Sequence, residues 1–114
     1  MTKSALVVIA PEQYEDEELR GTLDGLQKHG FDVTVASSRV GECEGKRGGR
    51  RNSDLALKDV DTSKFDRVAF IGGPGAKQLS DDADAQRVAR EFNDANKVVG
   101  VGSTATLAER ARRD

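Results

Sequence analysis

Three short segments of this chain carry residue types that could perform chemistry at one site. They are the acidic stretch around Glu15, the turn Gly72-Gly73-Pro74-Gly75 and the turn Gly102-Ser103-Thr104-Ala105. A carboxylate can hold a proton, the backbone N–H groups of a glycine turn can stabilise an oxyanion, and a serine in a tight turn can act as a nucleophile. These are the parts of an active site built around a nucleophile.

Glu15 has two interpretations, and both remain open at this stage. It is the first of four consecutive acids at the start of a predicted helix, where the helix dipole favours negative charge, so capping explains it. Alternatively, Glu15 points into a crevice and shares a proton with a residue of the last segment. Burial would then raise its pKa towards the working range of a general acid or base.

Ser103 follows an apolar run and precedes a helix-compatible segment, which is the setting of a nucleophile elbow. A hydroxyl needs an adjacent base, and the usual base is histidine. The only histidine, His29, falls at the far end of the first predicted helix, at the opposite edge of the sheet. The simpler interpretation is that Ser103 is the N-cap of a helix.

The glycine turn has a structural interpretation beside the chemical one. Gly72 and Gly73 follow a strand, so their N–H groups are the candidate oxyanion donors, while an ordinary tight turn is the alternative. The turn is not a phosphate-binding P-loop, because no Gly-Lys-Ser/Thr ending follows it.

Hydrophobic periodicity predicts the elements that position these segments. The predicted strands are apolar or alternating runs at residues 5–10, 31–36, 67–71 and 98–101. A first helix is predicted from Glu15 to His29, closed by Gly30, and a second is capped by Ser80 or Asp81. The second helix carries one apolar stripe, formed by Ala85, Val88, Ala89 and Phe92.

The segment between the second and third strands has little apolar content. Residues 41–53 are rich in glycine and arginine and are predicted as a loop or a short irregular hairpin, and residues 54–57 as a brief extended piece. Strands that alternate with helices indicate parallel pairing and a doubly wound α/β sheet. In such sheets, sites form at the carboxyl ends of the strands, where all three candidate segments lie.

Composition limits the number of domains, the classes of partner and the cellular compartment. The 114 residues have a mass of 12.3 kDa and predict a single domain over residues 1–114. A net charge of −2 does not favour nucleic acid or membrane surfaces as partners, and no apolar run is long enough to span a bilayer. The single cysteine, Cys43, excludes an internal disulfide and suits the cytoplasm. Its glutamate neighbours disfavour a reactive thiolate.

A basic cluster lies inside the glycine- and arginine-rich segment. A solvated loop is its default interpretation, and an anion-binding site is the alternative. Its members are Lys46, Arg47, Arg50 and Arg51.

Taken together, these residues resemble the ThiJ/PfpI superfamily, the DJ-one-like proteins with a class I glutamine-amidotransferase-like fold. The resemblance runs over nearly the whole chain, and it is carried above all by Tyr14-Glu15-Asp16-Glu17-Glu18 and Ile71-Gly-Gly-Pro-Gly-Ala76. It implies a flavodoxin-like, mostly parallel sheet with helices on both faces. Family members continue beyond the elbow helix, so this chain is expected to be shortened at its C-terminal end.

The resemblance also assigns site positions. In the family, a cysteine at the elbow, usually followed by histidine, is hydrogen-bonded by a glutamate of the first loop, and the Gly-Gly turn completes an anion-stabilising pocket. These positions correspond to Ser103, Thr104, Glu15, Gly72 and Gly73. A register shifted by one would place Gly102 at the nucleophile, and in either register the thiol is absent.

The family's peptidase, glyoxalase and deglycase activities depend on that thiolate, so the resemblance implies a catalytically silent member that acts as an oligomerising or binding module. A residual hydrolase or glyoxalase/deglycase-like enzyme using Ser103 and Glu15 is the alternative, and an anion-binding domain is the second alternative. A missing C-terminal layer would expose apolar surface, so a homo-oligomer is expected. No cofactor, metal, membrane or nucleic-acid partner is expected, and the substrate is unknown.

Overall fold

A parallel sheet forms the centre of the molecule, and a small second sheet lies beside it. The computed structural model describes residues 3–95 and 97–99. The helices and strands of this part, in chain order, are β1 (Lys3–Val8), β2 (Glu12–Tyr14), α1 (Asp16–Lys28), β3 (Phe31–Ser37), β4 (Gly41–Gly45), β5 (Arg50–Ser53), β6 (Leu55–Ala56), β7 (Arg67–Phe70), α2 (Ala76–Ser80), α3 (Ala83–Asp94) and β8 (Val98–Val99). Two 3₁₀ turns, Leu57–Asp59 and Thr62–Lys64, lie between β6 and β7.

The large sheet has the strand order β6-β3-β1-β7-β8, and every pair in it is parallel. Apart from the two-residue edge strand β6, this order is that of a flavodoxin-like sheet, in which the first strand lies between the second and the third. The predicted doubly wound α/β fold is therefore confirmed. The strands observed near residues 5–10, 31–36 and 67–71 lie within two residues of their predicted bounds.

Strand β1 is the centre of the core. Ala5, Leu6, Val7 and Val8 are all fully buried, although successive side chains point to opposite faces of the sheet. Both faces of β1 are therefore covered, as a parallel sheet in an α/β protein requires. This explains why the sequence reads here as a continuous apolar run rather than an alternating one.

Helix α1 begins and ends where the charge pattern predicts. Glu15 is its N-cap and accepts a hydrogen bond from the Glu17 N–H, and His29 is its C-cap, followed by Gly30. The helix buries Leu19 and Leu26, whereas Arg20, Asp24 and Lys28 are exposed. The capping interpretation of Glu15 is confirmed.

The second helix begins one to two residues later than the sequence predicts, because Asp82 and not Ser80 or Asp81 is its N-cap. Residues Ala76–Ser80 form a separate short helix, α2, and Asp81 is its C-cap. Helix α3 is capped instead by Asp82, whose carboxylate accepts a hydrogen bond of 3.0 Å from the Ala85 N–H. The apolar stripe of α3 is buried as predicted. In the part of the chain that the structure describes, no helix is both long and apolar enough to cross a bilayer.

The segment of residues 41–53 is a regular hairpin of β4 and β5. Strand β2, which the sequence did not predict, pairs in parallel with β4 and completes a three-stranded sheet. Within β2, Gln13 has a φ of +60°, a left-handed conformation that few side chains adopt. This small sheet brings the hairpin beside the start of α1.

Replacing Asp82 by alanine is expected to destabilise the protein by about 1 kcal/mol, because the cap of α3 loses its acceptor. Asp82→Asn keeps a side-chain oxygen at the same position and is expected to retain most of the stability. Urea unfolding followed by circular dichroism measures both variants. Equal losses in the two variants would contradict this role of Asp82.

Candidate functional site

Two of the three candidate segments meet at the carboxyl edge of the sheet. The Glu15 N–H donates a hydrogen bond of 2.9 Å to the Gly72 carbonyl, and the Gly75 N–H donates one of 3.0 Å to the Gln13 carbonyl. The loop between β1 and α1 is therefore fastened to the glycine turn through main-chain atoms. This fixes where the Glu15 side chain begins.

The close approach of the two loops explains why glycine is required in the turn. Gly73 has a φ of +113°, and a Cβ atom there would lie 2.7 Å from the Glu15 backbone nitrogen. At Gly75 the conformation is ordinary, but a Cβ atom would overlap the Glu12 carbonyl oxygen. The turn thus has a packing role that does not depend on catalysis.

The Glu15 carboxylate is surrounded by donors. Its Oε1 accepts hydrogen bonds of 3.2 Å from the Glu17 N–H and from Nε of Arg47. Its Oε2 lies 3.3 Å from Nζ of Lys46. The side chain is only 14% exposed, so these contacts are partly shielded from water.

These donors set the charge of Glu15. The Glu17 N–H first, and then the side chains of Arg47 and Lys46, hold the pKa of Glu15 below its ordinary value, and partial desolvation does not offset them. The raised pKa that the chemical interpretation required is therefore wrong. The sequence could not show this, because both cations come from a turn about 30 residues further along the chain.

Asp16 binds the same turn through its main chain. Its carboxylate accepts hydrogen bonds of 2.9 Å from the Arg47 N–H and 2.8 Å from the Gly49 N–H. Desolvation acts to raise the pKa of Asp16, but these N–H donors outweigh it and the pKa lies below its ordinary value. Sequence reasoning missed Asp16 as the residue that anchors the hairpin. The acid-rich start of the helix was the available signal.

The basic cluster is divided among different partners. Lys46 and Arg47 bind Glu15, and Arg50 forms an ion pair of 2.7 Å with Glu42. The anion that Lys46 and Arg47 bind is therefore the Glu15 carboxylate of the protein itself.

The proposed oxyanion donors are only partly available. The Gly72 N–H donates a hydrogen bond of 3.3 Å to Oε1 of Glu18, and the Gly73 carbonyl accepts one from the Ala76 N–H. The Gly72 N–H is therefore already engaged by the Glu18 side chain.

Of the other residues considered for the site, the structure describes His29 and Cys43 but not Ser103 and Thr104. Ser103 and Thr104 lie outside the described residues, so whether they approach Glu15 stays a prediction. His29 lies at the opposite end of α1 from Glu15, about 20 Å away at the rise of an α-helix. Cys43 is fully buried. Among residues 3–95 and 97–99, no group of three or more metal-binding side chains is found.

Comparison with known proteins gives one consistent result. Residues 3–110 match the DJ-1/PfpI family. The chain is 38% identical over 79 residues to the glutathione-independent glyoxalase DJR-1.2 of Caenorhabditis elegans, covering 69% of this chain and 42% of the relative. It is 30% identical over 94 residues to a deglycase of Pyrococcus abyssi, covering 82% of this chain and 57% of the relative.

A solved structure agrees with these sequence matches. The ThiJ/PfpI domain protein of Brachyspira murdochii superposes with a TM-score of 0.89 at 34% identity, over 98% of this chain and 65% of that one. The chain spans about half the length of the curated relatives it matches.

Gly75→Ala is expected to destabilise the protein by about 1–3 kcal/mol, because the new methyl group collides with the main chain of the neighbouring loop. Gly25→Ala is the matched control, because a Cβ atom at Gly25 meets nothing within 4 Å and alanine favours the helix by about 1 kcal/mol. Urea unfolding compares the two. Similar changes in both variants would show that the loops are not in tight contact.

Glu15→Gln is expected to lower stability near neutral pH, and the deficit should shrink in acid. A pKa below the ordinary 4.5 means that Glu15 stabilises the fold above that pH and loses this effect as pH falls through the lowered value. Unfolding measured across this range tests it. Glu17→Gln, which removes a charge from the same helical turn but no contact with Lys46 or Arg47, is the control. A deficit independent of pH would contradict the assignment.

Proposed function

The chain belongs to the DJ-1/PfpI family, and from that premise we propose that it is a catalytically silent member that acts as a binding or self-associating module. The observation that carries this proposal is the state of Glu15. A carboxylate bound by Lys46, Arg47 and a main-chain N–H is ionised, so it has no proton to share. Its lowered pKa also makes it a weak base.

The residue types at the other site positions support the same proposal. The family resemblance places a cysteine and often a histidine at the elbow, where this sequence has Ser103 and Thr104. A serine hydroxyl is a poor nucleophile without an adjacent base, and a threonine side chain cannot act as one. Neither His29 nor Cys43 can substitute, because His29 lies at the far end of α1 and Cys43 is buried in the small sheet.

A residual hydrolase or glyoxalase/deglycase-like enzyme is the second candidate. The names of the relatives from Caenorhabditis elegans and Pyrococcus abyssi favour it, because they are a glyoxalase and a deglycase. In this candidate Ser103 is the nucleophile, and Glu15 must exchange its ion pairs for a contact with the hydroxyl. Breaking two ion pairs before each turnover would oppose catalysis.

Self-association is the binding mode that we propose for the silent module. Strand β8 pairs with β7 at one end of the described sheet, and pairing between this strand and a second copy of the chain is the contact that we propose. The cytoplasm remains the proposed location. The single cysteine is fully buried, which is compatible with a reducing compartment.

The silent proposal predicts no turnover of methylglyoxal, a peptide or an ester by the full chain above the rate in buffer. The glyoxalase of Caenorhabditis elegans serves as the positive control for methylglyoxal. Ser103→Ala and Glu15→Gln are tested in parallel. Turnover that both substitutions abolish would overturn the proposal and establish the enzyme instead.

Native mass spectrometry at micromolar concentration tests self-association independently of activity. A dimer or larger assembly is expected. A spectrum that contains only the 12.3 kDa monomer would contradict this part of the proposal.

A further inference from the structure

Between β6 and β7 the chain crosses the large sheet in a short irregular segment, residues 57–64. The strand order places β6 and β7 on opposite sides of the β3–β1 pair, so this crossover segment passes over both of those strands. It consists of the two 3₁₀ turns and the residues that join them. Among the described residues it pairs with no strand, so other contacts must hold it against the rest of the molecule.

Arg87 of helix α3 binds two carbonyl groups of the crossover segment. Its Nη2 donates hydrogen bonds of 3.0 Å to the Leu57 carbonyl and 3.2 Å to the Val60 carbonyl. Its Nη1 donates one of 3.2 Å to Oε1 of Glu91, one helical turn further along α3. Hydrogen bonds from a charged donor are stronger than those between neutral groups, so Arg87 attaches the first turn firmly to the helix.

Glu91 extends this attachment to the second turn. The same Oε1 atom that binds Arg87 accepts a hydrogen bond of 2.8 Å from the Thr62 hydroxyl. A single ion pair on α3 therefore engages both 3₁₀ turns. Because the two turns share this attachment, we expect them to detach from the helix together.

The crossover segment contributes little to the apolar core. Leu57 and Val60 are its two buried side chains, whereas the other side chains of the segment are exposed or partly exposed. Two apolar side chains bury far less surface than the whole core, which includes all of β1 and the apolar stripe of α3. Detaching the segment therefore costs less free energy than unfolding the molecule.

The two ends of the crossover segment are anchored independently of Arg87. Before it, Ala56 pairs with Ser37 at the edge of the sheet. At its other end, the Ser4 hydroxyl donates a hydrogen bond of 2.8 Å to the Lys64 carbonyl, and the Asp66 N–H donates one of 2.8 Å to the Ser4 carbonyl. The segment can therefore detach between fixed ends without breaking the pairing of the strands.

We propose that the crossover segment opens as a unit while the sheet stays folded, and that the Arg87–Glu91 ion pair determines how often it opens. In the open state, Leu57, Val60 and the face of α3 that they cover become accessible to solvent. This conformational device does not depend on whether Ser103 is catalytic, because it shares no residue with the site at the glycine turn.

Amide hydrogen exchange of the full chain, followed residue by residue by NMR, tests the proposal. The N–H groups of Val60, Lys64 and Phe65 report on the crossover segment, because each donates a hydrogen bond to a carbonyl within it. The Ile9 N–H, which binds the Ala36 carbonyl, reports on the sheet.

The three N–H groups of the segment are expected to share one opening free energy, lower than that of Ile9. Their exchange should respond little to low concentrations of urea, because a local opening exposes little surface, whereas exchange at Ile9 should respond strongly. One opening free energy and one urea dependence for all four N–H groups would show that the segment detaches only when the sheet unfolds, and the proposal would then be wrong.

Substitutions test the part played by the ion pair. Arg87→Gln is expected to accelerate exchange in the crossover segment about tenfold, which corresponds to the loss of one charge-assisted hydrogen bond. Arg90→Gln is the matched control, because Arg90 lies on the same helix and is not among the donors to the segment. Unchanged exchange in Arg87→Gln, or equal acceleration in Arg90→Gln, contradicts the role of Arg87.

Asp82→Ala separates local opening from global unfolding. The cap of α3 at Asp82 stays intact when the crossover segment detaches, but it is lost when the molecule unfolds. Asp82→Ala is therefore expected to accelerate exchange at Ile9 and to leave exchange in the segment unchanged. Equal acceleration at both places would show that the segment does not open by itself.

Discussion

The contact on which much of this molecule depends is the binding of one turn by two adjacent carboxylates. Glu15 and Asp16, at the start of α1, together engage the side chains of Lys46 and Arg47 and the main-chain N–H groups of residues 47 and 49. Since Glu15 also caps the helix and its N–H binds the Gly72 carbonyl, three elements are joined at one point. Charge-assisted hydrogen bonds of this kind are stronger than neutral ones.

This junction also determines the chemical character of the site. A glutamate at the carboxyl edge of a parallel sheet is well placed for proton transfer. Here its negative charge is already balanced by two cations and a main-chain donor, so geometry alone does not make it a catalyst. The same position can therefore serve catalysis in one sequence and structure in another, depending on what the neighbouring hairpin carries.

Much of the fold could be predicted from the sequence, because it depends on strong local signals. The buried strands appear as apolar runs, and α1 is bounded by acids at one end and Lys28-His29-Gly30 at the other. Strand β2 could not be predicted, since Glu12, Gln13 and Tyr14 show no strand periodicity and gain their pairing only from β4. The sequence does not fix the start of α3, because the three successive residues Ser80, Asp81 and Asp82 are all good caps.

The candidate site was predictable in its location but not in its electrostatics. Chain direction alone places the first loop and the glycine turn at one edge, and the structure joins them. The charge of Glu15 depends on contacts between residues far apart in sequence, and no local pattern shows which way Lys46 and Arg47 point.

The two carboxylates bind different kinds of partner, and this difference has an evolutionary consequence. Asp16 holds the hairpin through main-chain N–H groups, which every residue except proline supplies, whereas Glu15 is held by two particular side chains. Drift at positions 46 and 47 can therefore remove both ion pairs of Glu15 while the hairpin stays anchored and the Glu17 N–H still binds the Glu15 carboxylate. The ion pairing of Glu15 and the attachment of the hairpin are therefore separable traits, and the side chains at positions 46 and 47 can change without rebuilding the fold.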